Sequence, residues 1–171
     1  MKYFLVEVDE QYVAPAPVGW YGIIDKKALS RKSPYQIAKH LLFPVQSHMQ
    51  MVFTDILTSP CFMVSKMVRD VIRKYDSFIY FIRIILLDEE HRQSRAYYIP
   101  YLDTVEYTLR KDIDREEKVY FAINKKNVEE KVIVEMTNGH NSHVVMRMDL
   151  LESILRREAV GIGLKEVLWH I

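Results

Sequence analysis

The ten residues from Phe78 to Leu87, F-I-Y-F-I-R-I-I-L-L, constrain the fold more than any other stretch of the chain. They are β-branched, aromatic or aliphatic on both alternating sets of positions apart from Arg83, the pattern of a central strand covered on both faces. A membrane span needs about twice that length of uninterrupted apolar sequence, so the run predicts a buried strand and no transmembrane helix.

The flanks extend this reading into a core unit from Ser59 to Tyr107. Phe62, Met63 and Val64 read as a short strand leading into Ser65. After it Met67, Val68, Val71, Ile72 and Tyr75 recur at the spacing of one helical face, with Lys66, Arg69, Asp70, Arg73 and Lys74 on the other side. Ser65 is the expected N-cap, its hydroxyl accepting from the first turn. Downstream, Asp88 to Arg95 is a polar hairpin connection, and Ala96 to Leu102 returns as A-Y-Y-I-P-Y-L. Pro100 has no backbone donor and so places that return at a sheet edge or a bulge. Asp103 to Tyr107 continues extended.

Elsewhere, Lys2 to Val8 alternates as a first strand, and the prolines of A-P-A-P-V-G at 14–19 enforce a loop. Gly19 to Ile24 predicts a short strand. Ser33-Pro34 predicts a helix start, with Ile37 and Leu41 on its apolar face and its end before Pro44. Met49 to Leu57, Val119 to Ile123, Lys131 to Met136 and Val144 to Met148 are strand candidates; Asn138-Gly139 marks the turn between the last two. Asp149 with Glu152 three residues on has capping-box spacing for a second helix that carries Leu150, Leu151, Ile154 and Leu155, with Arg156 and Arg157 in its last turn. Gly161 and Gly163 end it, and Leu164 to Trp169 is a last strand. The chain is therefore expected to be a single α+β domain over residues 1–171, a largely antiparallel sheet with two or three helices packed on it.

Charge narrows the partners. Lys and Arg number 24 against 23 Asp and Glu, a balance that argues against a nucleic-acid binder, which carries a basic footprint. The single cysteine, Cys61, permits no internal disulfide and fits a reducing compartment. The opening M-K-Y-F-L-V-E has too few apolar residues before Glu7 for a secretory leader, so a cytoplasmic, non-membrane protein is expected.

Catalytic signatures are sparse. Cys61 with one of the six histidines is a candidate thiol and base, but its setting, P-C-F-M-V, is that of a packed residue. His140 and His143 lie three apart in a turn with no acidic or thiol neighbour, and Asp112, Asp114, Glu116 and Glu117 lack the glycine and closing glutamate of a calcium loop. No phosphate-binding glycine motif or nucleophile elbow occurs. The reading is no enzyme, no cofactor and no metal, with a small hydrolase or transferase using Cys61 or the histidines as the alternative. Candidate partner-binding residues are Trp20, Tyr21, His91, Tyr97, Tyr98 and Tyr101, since Tyr and Trp favour interface cores. The strand from Tyr97 to Leu102 also offers an edge for pairing with a second copy of the chain.

Two segments, F-M-V-S-K-M-V-R-D-V-I-R-K-Y followed by Y-Y-I-P-Y-L-D-T-V, and H-V-V-M-R-M-D-L-L-E-S-I-L-R-R-E-A-V-G-I-G-L-K-E-V, resemble the immunity proteins of bacterial polymorphic toxin systems, more narrowly immunity-protein family eleven. The similarity runs from Ser59 to the C-terminal residue, with the M-K-Y-F-L start also fitting. It implies a non-enzymatic antitoxin that binds a cognate protein toxin, and it carries no catalytic residues to transfer.

Overall fold

The computed structural model describes residues 1–25, 41–109, 118–122 and 127–170. In chain order its elements are β1 (Tyr3–Val8), β2 (Leu41–Pro44), β3 (Ile56–Leu57), β4 (Met63–Ser65), α1 (Lys66–Tyr75), β5 (Phe81–Asp88), β6 (Gln93–Pro100), β7 (Thr104–Glu106), β8 (Thr108–Leu109), β9 (Lys118–Ala122), β10 (Ile133–Thr137), β11 (Ser142–Arg147), α2 (Met148–Leu155) and β12 (Ile162–His170). The fold is α+β. Its strands divide between two sheets, β7-β10-β11-β1-β12-β9-β8 and β2-β5-β6-β4-β3. Most neighbours are antiparallel; β7 with β10, β9 with β12 and β2 with β5 are parallel.

The apolar run becomes β5, but three residues later than its first phenylalanine. The Asp76 carboxylate accepts from the Phe78 N–H at 2.9 Å, a local turn that holds Phe78 outside the sheet at 87% exposure. Within β5 the two alternating sets then go to different cores. Ile82, Ile84 and Leu86 join Leu57, Met63, Tyr97 and Ile99 in one cluster, while Phe81 joins the helices in another. That second cluster binds the fold together: Val6, Val144 and Met146 from the larger sheet meet Val64 and Tyr98 from the smaller one, with Val68, Ile72, Leu150 and Ile154 from the helices between them. A third cluster, around Tyr3, Leu5, Val134, Met136 and Val145, backs the larger sheet.

Ser65 caps α1 as its sequence position implies, with extended backbone and its Oγ accepting from Val68 N at 3.4 Å. Asp149 does not cap α2. Arg147, at the end of β11, is extended and takes the N-cap position without a side-chain bond, so the helix begins at Met148 and Asp149 falls inside its first turn. There the carboxylate receives the Arg147 guanidinium at 2.7 and 2.8 Å. Arg156 is the C-cap of α2, so neither Arg156 nor Arg157 lies in its last turn. The helices are tied by the Tyr75 hydroxyl, which donates to the Asp149 carbonyl at 2.9 Å.

Four other expectations change. Gly19 to Ile24 is a turn in which Ile23 and Ile24 N–H groups donate to the Trp20 carbonyl, with Gly19 and Gly22 at φ 72° and 78°. Of Met49 to Leu57 only Ile56–Leu57 is a strand. The start of the helix predicted from Ser33 lies outside the described residues, and Leu41 and Leu42 at its expected end are strand β2, paired with β5. Pro100 does not put β6 at an edge: β6 lies between β5 and β4, and Pro100 is its last residue, where pairing with β4 has already stopped at Tyr98.

Where the sheets meet, residues 53–55 are gripped from both sides. The buried Asp55 carboxylate accepts from Val160 N at 2.7 Å and from Arg95 Nη2 at 3.1 Å, and Arg95 also donates to the Phe53 carbonyl. The Asp55 N–H donates to Val160 O and its carbonyl accepts from Ser65 N, both at 2.8 Å. Tyr97, fully buried, donates to the Thr54 carbonyl at 2.7 Å. Gly161, at φ 75°, passes so close that a Cβ there would stand 2.3 Å from Thr54 Cγ2.

Two substitutions test this junction. Gly161→Ala is expected to lower stability by about 2–4 kcal/mol through the left-handed backbone and the overlap, seen as a lower urea midpoint that Thr54→Ser partly restores; an unchanged midpoint would show that the close approach is not kept. Tyr97→Phe strands a buried carbonyl and should cost about 1–3 kcal/mol in the same measurement.

Candidate partner-binding surface

The tyrosines expected to form an aromatic surface are mostly inside. Alternation along β6 sends Tyr97 into the cluster of the smaller sheet and Tyr98 towards α1, while Tyr101, just past the strand, packs its ring 5.4 Å from Tyr80. All three are buried, so they form no open aromatic surface: the Tyr97 face of the strand is covered by the segments carrying Ala14, Trp20, Met51 and Phe53 and the Tyr98 face by the helices and the larger sheet, and the aromatic residues serve as filling. Burial also pushes the Tyr97 hydroxyl far above its ordinary pKa. Trp20 is half-buried against the same cluster, and Tyr21 is 88% exposed with its ring 6.0 Å from that of Trp20. His91 stands at the β5–β6 hairpin.

That hairpin is tied down. Asp88, read from sequence as the start of a polar hairpin connection, is 1% exposed and accepts from Ser47 Oγ, from His91 N at 3.3 Å and from His91 Nδ1 at 2.7 Å. The Ser47 hydrogen bond, followed by those from His91, holds its carboxyl below the usual range against the opposing effect of desolvation. Serine, aspartate and histidine are the residue types of a hydrolytic triad, but the order of contact differs. Here the carboxylate sits in the middle, so the serine hydroxyl donates to a weakly basic carboxylate and not to an imidazole base. The group is a clasp between the 45–50 loop and the hairpin.

A second cleft, about 430 Å³, brings together residues that lie far apart in the chain: Cys61, Thr58, Glu7, His140 and His143 are on its walls. Burial lowers the proton affinity of His143. A reactive thiolate needs positive charge beside it. No Lys or Arg is among the described residues lining this cleft, and a neutral His143 supplies none. The acidic group from Asp112 to Glu117 lies outside the described residues; among those described, no three His, Cys, Asp or Glu converge as metal ligands. No helix among them is long and apolar enough to cross a membrane.

The most distinctive surface is a groove between α1 and the β5–β6 hairpin, about 740 Å³. Lys66, Met67, Asp70, Val71 and Lys74 line it from one edge of the helix, Arg83, Ala96 and Tyr98 from the sheet, and Arg157 from beyond α2. Cross-strand pairing sets Arg83 beside Tyr98, so the single cation of the apolar run opens into this groove. The Arg69 guanidinium lies 4.0 Å above the Tyr98 ring and 2.6 Å from Asp70, which neutralises the only acid among the described residues of the lining. Arg95, also at the margin, is engaged by Asp55. Among the described residues no carboxylate pairs with Lys66, Lys74, Arg83 or Arg157. The sequence held a signal for this site in Lys66, Asp70 and Lys74 at i, i+4 and i+8 and in the lone Arg83, but only the packing of helix on hairpin brings them together.

The Asp88 clasp predicts a pH dependence. A carboxyl with its folded pKa depressed adds stability that is present above its unfolded pKa, about 3.9, and is lost as pH falls through the folded value. Asp88→Asn should therefore unfold at lower urea than wild type at pH 7, with the gap closing as the pH is taken below about 4; a gap independent of pH would refute the clasp. In comparisons with known proteins, the sequence matches no protein-family model and no curated protein.

Proposed function

We propose that this protein is an immunity protein that neutralises a cognate bacterial toxin domain by direct binding in the cytoplasm, without catalysis. The observation that carries the reading is the groove of α1 and the β5–β6 hairpin, where four exposed cations have no carboxylate partner among the described residues and surround an apolar floor. Such a surface leaves charge and apolar area unsatisfied in the free protein, and an opposite surface on a partner satisfies both. The resemblance of the segments from Ser59 onward to immunity-protein family eleven supports the same reading. The clasp geometry at Asp88, and the lack of a Lys or Arg among the described residues lining the Cys61 cleft, weigh against hydrolytic or thiol chemistry at the two places with suitable residue types.

The test is co-production with the toxin domain encoded beside its gene. Growth should be restored, and the purified protein should inhibit the toxin with an end point at one equivalent and co-elute with it. Failure to protect overturns the proposal, and so does inhibition at far less than one equivalent, which would indicate an enzyme acting on the toxin.

A further inference from the structure

Resting on that protein-binding reading, we infer that the groove between α1 and the β5–β6 hairpin docks an extended acidic segment of the partner, with carboxylates on the cationic rim and an apolar side chain on the floor. The rim and floor differ in chemistry, and both must be matched. Lys66, Lys74, Arg83 and Arg157 are exposed and have no carboxylate partner among the described residues, Arg157 donating to the Ser153 carbonyl, whereas the half-buried Met67 and Ala96 form the accessible apolar lining above the buried Val71 and Tyr98. An inorganic anion would satisfy the rim and leave the floor wet. A purely apolar segment would cover the floor and bury cations without partners, which is costly.

Spacing suggests how the segment lies. Lys66 and Lys74 are eight positions apart on α1, about 12 Å along its axis. In an extended chain, carboxylates four residues apart span about 13 Å. Glu or Asp at i and i+4 then reach the two lysines, and the side chain at i+2, on the same face, falls over the half-buried Met67 between them. Arg83 on the opposite wall and Arg157 complete the cationic rim.

Single-stranded nucleic acid fits less well. Its binding uses aromatic faces on which bases stack, but Tyr98 is buried and covered by the Arg69 guanidinium at 4.0 Å. The formal charge of +1 also provides no long-range attraction for a polyanion.

The probe is a fluorescein-labelled peptide containing Glu-Ser-Leu-Ser-Glu, with versions in which Gln replaces Glu or Ser replaces Leu, and an oligothymidine of equal length. Anisotropy should show saturable binding of the first peptide, weakened about tenfold or more by either replacement, by raised salt and by the double variant K74E/R83E. Both positions are exposed, so the variant should keep the wild-type urea midpoint; if it does not, K66Q/R157Q takes its place. No saturable binding, equal binding by the charge variant, or tighter binding of the oligothymidine overturns the inference. The toxin assay separates the two claims: wild-type protein that neutralises the toxin but does not bind the peptide overturns only the groove assignment. Peptide binding without neutralisation supports the groove and removes the immunity reading.

Discussion

Asp55 is the group on which the rest of the structure depends. Its carboxylate holds the main chain entering β12 through Val160 and the side chain of Arg95 on β6, while its own main chain pairs with Val160 and Ser65. A buried carboxylate is costly unless its oxygens are filled, and here both are, one by a guanidinium and one by a backbone donor. The result is a joint between the two sheets that also holds Ser65, the residue that caps the first helical turn. Thr54 beside it completes the joint, closed by the Tyr97 hydroxyl on one side and the tight passage of Gly161 on the other. The shared cluster of both sheets and both helices supplies apolar burial, but burial has no direction; these hydrogen bonds set how the sheets meet.

The groove follows from that joint. Ser65 accepts the Val68 N–H as the N-cap and passes its own N–H to the Asp55 carbonyl, so α1 leaves the smaller sheet in a defined direction and lies across β5 and β6. One edge of the helix then faces Arg83 over the buried Tyr98 ring. Bringing Lys66, Lys74, Arg83 and Arg157 to one rim is mildly unfavourable in the free protein because like charges repel. A surface that breaks a local rule without structural gain is where binding function is expected.

Much of the fold was legible in the chain. The helical stripe from Met67 to Tyr75, the Ser65 cap, the β11 hairpin turn at Asn138-Gly139 and the outer strands each follow from periodicity or turn chemistry that acts over a few residues. The misreadings share a cause. Pro100 looked like an edge marker because its missing donor was weighed without knowing where the neighbouring strand ends. Asp149 looked like a cap because its spacing to Glu152 is right, but β11 runs to Arg147 and moves the helix start. The β6 tyrosines looked available because one sheet with one open face was assumed, whereas that strand is covered on one side by the helices and the larger sheet and on the other by the segments carrying Trp20, Met51 and Phe53.

By itself the sequence determined the α+β class, the order of most elements and the identity of the central apolar run, because propensity, capping and alternation are local and survive without neighbours. Only the tertiary structure decided that the strands form two sheets, that Asp55 joins them, that Asp88 clasps Ser47 and His91, and that scattered cations line one groove. Most of these bring together residues tens of positions apart. Their energies depend on distance and burial, which the order of residues along the chain does not contain.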